Sequence, residues 1–109
     1  MNGDINKLIG YVGKQFVFDD VAYPELKGMS EEQKLKFALR HSALHFAKTA
    51  GKISEVGERF DHGKEINIED IKKNIPKALI NTLKLAEIVG MTEEEIIRAM
   101  EEKYKTKIH

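Results

Sequence analysis

Cysteine is absent from the 109-residue sequence, which excludes disulfide bonds and thiolate chemistry and fits a chain that works in a reducing cytosol. No apolar run approaches the roughly 20 residues of a membrane helix, and the first residues, with Asp4 among them, do not resemble a signal peptide. An excess of charge of one sign is also missing, because 18 basic side chains balance 18 acidic ones. No overall field therefore attracts nucleic acid or an anionic membrane. We expect a soluble, cytoplasmic protein whose binding depends on local patches.

The apolar residues predict one domain, over residues 1–109, with a modest core. No stretch alternates apolar and polar residues over any length, so strands are not predicted. Helical spacings dominate instead. We predict an all-α fold of about four helices, packed as a helical bundle that oligomerisation completes.

The first and last helices are predicted by local spacing and capping signals. Apolar residues three and four apart predict helix 1 over residues 5–16, and Asp4 is placed to cap it. Residues 18–29 show no period and are interpreted as a connecting loop. Thr92 and Glu95 have the spacing of a capping box, which predicts the start of helix 4.

Helix 2 is predicted to be long, with Ser30 and Gln33 as a capping box at its start and the residues Asp61-His62-Gly63 at its end. Small residues on its neighbouring faces would let another helix approach closely; they are Ala43, Ala47, Gly51 and Ser54. Its apolar seam repeats about every 3.5 residues. The seam residues are Leu35, Leu39, Ser42, Phe46, Ala50, Ile53, Gly57 and Phe60.

Helix 3 is predicted to begin after Asn67, which can cap it, and to end at Gly90. Pro76 lies inside it, so we expect either a kink or a short opening turn followed by a restart capped by Asn74. Its apolar seam comprises Ile68, Ile71, Ile75, Leu79, Thr82, Ala86 and Val89.

Polar residues follow one face of each central helix. On helix 2 these are His41, His45, Lys48, Lys52 and Glu55, at steps of four, three, four and three. On helix 3 the comparable stripe is Lys73, Asn74, Lys77, Asn81 and Lys84. If the stripes face each other, they form a cationic cleft suited to phosphate or another anion, with His41, His45, Lys48, Lys52 and Lys77 as candidate binding residues. The other interpretation is that both stripes are solvated outer faces with loose ion pairs.

Other chemistry finds less support. His41 and His45 have the i, i+4 spacing of helical zinc ligands, and Asp61 with His62 would complete a tetrahedron. The glutamate of the metalloprotease pattern is absent between the two histidines, and we favour a surface or interface role for them. The serines lack a nucleophile context, and the lysines alternate with acids and lack an aromatic platform, so nucleic-acid binding is not predicted.

The order of a long helix, a short acidic loop ending in glycine, a second helix and a Gly-Met-Thr-Glu-Glu-Glu turn resembles the MazG-like nucleoside triphosphate pyrophosphohydrolases. The similarity covers about residues 35–106 and is clearest in residues 79–95, LINTLKLAEIVGMTEEE. This resemblance implies an all-α fold completed as a dimer or tetramer, and cleavage of a nucleotide between its α and β phosphates. In that family an E-x-x-E motif and an E-x-x-D motif supply carboxylates for Mg²⁺.

This sequence departs from both motifs. Alignment through residues 79–90 places E-x-x-D on residues 74–77, which read Asn-Ile-Pro-Lys. For the first motif, residues 55–58 retain Glu55 and Glu58 in one register, whereas residues 49–52 read Thr-Ala-Gly-Lys in the other. The second register is preferred, because it makes Asp61-His62-Gly63 the usual loop of the family.

A lysine a few ångströms from a divalent metal adds several kcal/mol of repulsion at an effective dielectric of about 20. We therefore interpret the chain as a catalytically degenerate MazG-like protein that binds a nucleotide-like anion or assembles as a homo-oligomer, with no cofactor favoured. One alternative is an active Mg²⁺-dependent nucleoside triphosphate pyrophosphohydrolase that uses Glu55 and Glu58, with Glu69 and Asp70 as further acids. Another is a purely structural oligomerisation module.

Overall fold

The computed structural model describes residues 3–108, which form four α-helices, one short turn of 3₁₀ helix over Pro24–Leu26, and no strand. The predicted all-α fold of four helices is confirmed. Within the described residues, none of the helices combines the length and the apolar character that crossing a membrane requires. The helices are α1 (Asp4–Gln15), α2 (Glu31–Asp61), α3 (Ile68–Ile88) and α4 (Glu93–Tyr104).

The predicted starts of α2 and α4 are confirmed at their caps. The Gln33 amide donates to the Ser30 hydroxyl at 3.2 Å, and the Ser30 amide donates to Gln33 Oε1 at 2.9 Å, so the capping box is complete. At α4 the Glu95 amide donates to Thr92 Oγ1 at 3.3 Å. The Glu95 carboxylate there accepts from the Thr92 hydroxyl. Side-chain oxygens thus satisfy amides that the first turn leaves without partners.

One predicted cap is wrong, and of the two alternatives at Pro76 the restart is not formed. Gly3, in a left-handed conformation with φ of 81°, is the N-cap of α1, so Asp4 is the first helical residue and not the cap. Asn67 caps α3 and accepts from the Asp70 amide at 3.1 Å, but the helix then continues through Pro76 without a restart. Asn74 lies inside this helix, where its side-chain amide donates to the Asp70 carbonyl at 2.7 Å.

Both central helices end at the predicted glycines. Gly90 has φ of 73°, and the Met91 amide donates to the Ala86 carbonyl at 2.8 Å across it. Gly63 ends α2 in the same way, with φ of 82°. These are the positions where a left-handed residue lets the last carbonyls find donors, and glycine adopts that conformation without a steric penalty.

Packing is concentrated between α2 and α3, which run antiparallel, and between α1 and α3. The start of α4 is tied to α1, because the Ile5 amide donates to Glu93 Oε1 and the Glu93 amide donates to Asn6 Oδ1, both at 2.9 Å. Residues 18–29 contribute Leu26, which is only 1% exposed, so this segment is more than a connection. The buried apolar residues are Val12, Leu26, Ala38, Val56, Leu83 and Ala86.

Most residues of the predicted apolar seams lie outside this core, and Ser42 is the one α2 seam residue that is buried. The buried line of α2 runs through Ala38, Ser42, Thr49 and Val56, and at 3.6 residues per turn the predicted seam is rotated from it by roughly a fifth of a turn. Of the α3 seam, only Ala86 is buried. Apolar periodicity identifies residues that share a face but not the partner that covers them. The exposed seam residues include Leu35, Phe46, Phe60, Ile68, Ile75, Leu79 and Val89.

The small-residue face predicted to receive another helix is also open within this chain. A Cβ built at Gly51 or Gly57 meets no atom within 4 Å. Ala43, Ala47 and Ser54 are exposed. Within the described residues, no other helix reaches Gly51 or Gly57, so this chain's own helices do not make the close approach that the small residues permit.

Candidate anion-binding groove

The two predicted polar stripes meet along the junction of α2 and α3. Asn81 on α3 joins them at the middle, since its side-chain amide donates to Thr49 Oγ1 at 2.9 Å and to the His45 carbonyl at 3.2 Å. Three adjoining pockets lie along this junction, each sharing lining residues with the next, and we call the row that they form the groove. We describe it from its cationic end to its aromatic end.

The cationic end is a pocket of about 200 Å³ lined by four basic and two acidic side chains, a net charge of two positive. Glu55 is engaged here, because it accepts from Arg59 Nη2 at 2.6 Å. Both side chains of that pair are more than half exposed, so water screens their attraction. The lining residues are Lys52, Glu55, Val56, Arg59, Asp70, Lys73, Asn74 and Lys77.

Lys48, Lys52 and Lys77 line the middle of the groove together with His45. Lys52 and Lys77 belong to both the middle and the cationic end, so these two lysines point into a shared groove. Four of the five candidate binding residues are therefore brought together, and His41 lies further along at the aromatic end. The positions of the preferred motif register all reach the groove; they are Thr49, Lys52, Asn74 and Lys77.

The aromatic end was not predicted from the sequence. The Phe18 and Tyr23 rings stack at 5.2 Å between centroids, and the Phe37 and His41 rings stack at 5.5 Å. Phe18 and Tyr23 come from the segment interpreted as a loop. With Phe16 just before it, they make three aromatic residues within eight positions, which was a usable signal. Burial lowers the pKa of His41, and the neighbouring His45 lowers it further.

Two buried polar atoms on the groove wall have no hydrogen-bond partner among the described residues. One is the hydroxyl of Ser42, which is 4% exposed at the aromatic end. The other is Oδ1 of Asn74, which is 6% exposed at the cationic end. Buried polar groups without partners are costly. The Ser42 hydroxyl can donate to or accept from a bound group, whereas Asn74 Oδ1 can only accept.

Lys84 was placed in the α3 stripe, but its charge is already satisfied. The side chain is buried, its Nζ lies 3.2 Å from Glu87 Oε2, and it sits 4.9 Å from the centre of the Phe18 ring. Arg59 takes a place in the groove that the sequence did not suggest. Its position two turns after Lys52 on the same face was the available signal.

The residues present do not fit a magnesium site of the family kind. The positions of the second motif hold Asn74 and Lys77, and within residues 3–108 no three or more acidic or histidine side chains converge as metal ligands would. Glu55 and Asp70 line one pocket, but four basic side chains surround them. Mg²⁺ and similar hard cations need several oxygen ligands.

The geometry excludes the zinc tetrahedron that the histidine spacing left open and that we did not favour. His62 follows α2 as its C-cap, 17 residues beyond His45. At 1.5 Å per residue this separation is roughly 25 Å along the helix. His62 and Asp61 therefore cannot join His41 and His45 around one ion.

Comparison of this chain with models of known protein families, with curated proteins and with solved structures finds no match. The resemblance to MazG-like enzymes therefore rests on residues 35–106 of the sequence alone.

Proposed function

We propose that this chain is a catalytically degenerate MazG-like protein that binds a nucleotide-like anion in the groove between α2 and α3, without Mg²⁺. One observation carries the proposal. Lys52 and Lys77, at positions where the family has metal-binding acids, line the same stretch of groove. In the family, acids at these positions bind Mg²⁺, and the metal binds the phosphates of the nucleotide. In this chain, lysines at the same positions would bind the phosphates directly.

The electrostatics of the cationic end support this assignment. Its net charge of two positive can offset that of a phosphate dianion. At an effective dielectric of 20, two unit charges 4 Å apart attract by about 4 kcal/mol, and exposure and salt reduce this value. Anion binding should therefore weaken steeply as salt is raised.

The shape of the groove favours an anion that also carries a ring. His45 and Asn81 line both the middle of the groove and its aromatic end, so a ligand bound beside Lys52 and Lys77 in the middle can extend to the aromatic end. The aromatic rings of Phe18, Tyr23 and His41 line this end, and the Ser42 hydroxyl, which lacks a partner among the described residues, is available for a hydrogen bond to a polar ring edge. A nucleotide has this combination of groups.

The experiment is a thermal-shift panel of nucleoside mono-, di- and triphosphates in the presence of a chelator. A ligand at 100 times its Kd stabilises the fold by about 2.7 kcal/mol, which raises the Tm of a domain of this size by roughly 10 °C or more. Lys52→Glu and Lys77→Glu should each abolish the shift. Lys36→Glu makes the same charge change on an exposed part of α2 outside the groove, and it should leave the shift intact.

Other outcomes decide between the alternatives. If no nucleotide raises the Tm at millimolar concentration, anion binding is wrong and the structural module is favoured. If Mg²⁺ supports release of pyrophosphate, and Glu55→Gln abolishes it, the active pyrophosphohydrolase replaces the degenerate protein. Circular dichroism of each variant separates loss of binding from loss of the helices.

We also propose that the chain assembles as a homo-oligomer, a dimer or a tetramer. Its accessible surface is 8255 Å², whereas a folded monomer of 12.4 kDa is expected to expose about 6,100 Å². Its radius of gyration is 16.9 Å, compared with about 13 Å for a compact domain of this length. The excess surface, about 2,100 Å², is more than the roughly 800 Å² that each partner buries in a standard interface.

A further inference from the structure

Two histidine side chains meet one turn apart on α2, at the border between the middle and the aromatic end of the groove. Nε2 of His41 and Nε2 of His45 lie 3.1 Å apart, and the two ring centroids are 4.6 Å apart. The i, i+4 spacing puts both rings on one face of the helix. The two ring nitrogens share a hydrogen bond, and they are the atoms that bind metals, so an ion bound here would take the place of the shared proton.

The separation of the two nitrogens fits chelation of one ion. Imidazole nitrogens bind zinc at 2.0–2.1 Å. Two nitrogens 3.1 Å apart, both at that distance from an ion, subtend an angle of about 95–102° at the ion. This angle lies between those of square-planar and tetrahedral coordination, which Cu²⁺ and Zn²⁺ respectively prefer.

The surroundings hold the pair in place and leave it accessible. The Phe37 ring stacks on His41, and the hydroxyl oxygen of Tyr23 lies 3.3 Å from His41 Nε2. His41 is half-buried, whereas His45 is exposed, so an ion can approach from solvent.

We propose that His41 and His45 form a two-nitrogen chelating site for a borderline transition-metal ion. Water or an added ligand occupies the other coordination positions of the ion. Cu²⁺ binds most tightly, Ni²⁺ and Zn²⁺ bind less tightly, and Mg²⁺ does not bind, because the site has nitrogen ligands and no carboxylate. This site needs neither the anion nor any residue of the cationic end.

The test is calorimetric titration of the tag-free full chain with Cu²⁺, Zn²⁺ and Mg²⁺ at neutral pH, together with electron paramagnetic resonance of the Cu²⁺ form. The wild-type protein should take up one equivalent of Cu²⁺ and show hyperfine coupling to two nitrogens. His45→Gln should weaken Cu²⁺ binding by tenfold or more, since even loss of a group that only supports a metal ligand costs about 10- to 100-fold. Because His45 is exposed, this variant should keep the helical content and Tm of the wild type.

His62→Gln is the matched control, since it removes an exposed histidine at the far end of the same helix. Its Cu²⁺ affinity should equal that of the wild type. The proposal is overturned if His45→Gln leaves the affinity unchanged, if both variants lose it equally, or if the spectrum shows coupling to fewer than two nitrogens. It is also overturned if Mg²⁺ binds as tightly as Zn²⁺.

Discussion

The pair formed by α2 and α3 has two unlike sides. The polar side carries the groove, with Lys48, Lys52 and Lys77. The apolar side carries seam residues that are 41–61% exposed in this chain. On α2 the two sides lie to either side of the buried line through Ser42 and Thr49. The apolar side comprises Leu35, Phe46, Phe60, Ile68, Ile75, Leu79 and Val89.

This contrast is the reverse of a self-sufficient bundle, in which the apolar seams would meet and the lysines would face water. Here Thr49, Asn74 and Asn81 lie at the α2–α3 contact, while the stronger apolar rows remain open. Burying a leucine or phenylalanine side chain is worth roughly 1.5–3 kcal/mol. Several such residues are exposed on one side of the pair, which supports the proposal that a second copy of the chain packs against them.

The largest effect is expected from a charge placed on the apolar side. Leu79→Asp should weaken self-association by at least about 2 kcal/mol, roughly thirtyfold, because an interface would then bury an unpaired carboxylate. Sedimentation velocity across a concentration series measures the change. Met100→Asp is the control, because Met100 is a similarly exposed apolar residue of α4, outside the α2–α3 pair.

Two outcomes would break the comparison between the sides. A wild-type chain that stays monomeric at high micromolar concentration would mean that the apolar side has no such cover. Equal weakening by Leu79→Asp and Met100→Asp would mean that association does not use the α2–α3 pair specifically.

A smaller effect is expected from filling the glycines of α2. Gly51 lies opposite the buried line, whereas Gly57 lies towards the apolar side. Alanine in a helix interior is favoured over glycine by roughly 0.5–1 kcal/mol, and a Cβ meets no atom of this chain at either position. Gly51→Ala should raise the unfolding free energy by that amount, as measured by denaturant titration.

Gly57→Ala sharpens the comparison, because its added methyl group projects where a second copy would pack. We expect it to stabilise the chain fully only in the Leu79→Asp background, where association is lost. The same gain from Gly57→Ala in the associated wild type would show that no close contact forms at Gly57.

The smallest effect concerns the polar side. Glu55→Gln removes a carboxylate from the cationic end and frees Arg59. Nucleotide affinity should then rise about two- to fivefold, which corresponds to roughly 0.5–1 kcal/mol. Glu58→Gln, on the same helix but outside the groove lining, should leave affinity unchanged. Weaker nucleotide binding by Glu55→Gln would contradict a purely cationic site.

Much of the fold was predictable because its signals are local. Ser30 with Gln33, Thr92 and Gly90 mark helix ends through hydrogen bonds that reach only three to five residues. Because these signals extend over only a few residues, the prediction of one helix cap failed and the course of the helix at Pro76 was left open. Gly3, with its left-handed backbone, is the N-cap in place of Asp4, and α3 is continuous through Pro76, where the sequence left a kink and a restart open.

The candidate groove was predicted in part. Helical spacing alone places Lys48 and Lys52 on one face, and Lys77 on the face of the next helix that turned out to meet it. The aromatic end depends on Phe18 and Tyr23, which precede α2 in the chain and reach His41 only through the fold. Helical periodicity cannot predict such a contact, because the contact joins residues that are 18 to 23 positions apart across a loop.

By itself, the sequence determined four helices, most of their ends, and the pairing of polar and apolar rows along α2 and α3, because helix formation and capping depend on neighbours within a turn or two. Only the tertiary structure decided which row faces the partner helix. That choice depends on how α1, the 3₁₀ turn and α3 share a small core, and no local signal encodes it. The packing of the helices directs the lysines towards a common groove and leaves the apolar rows exposed to solvent.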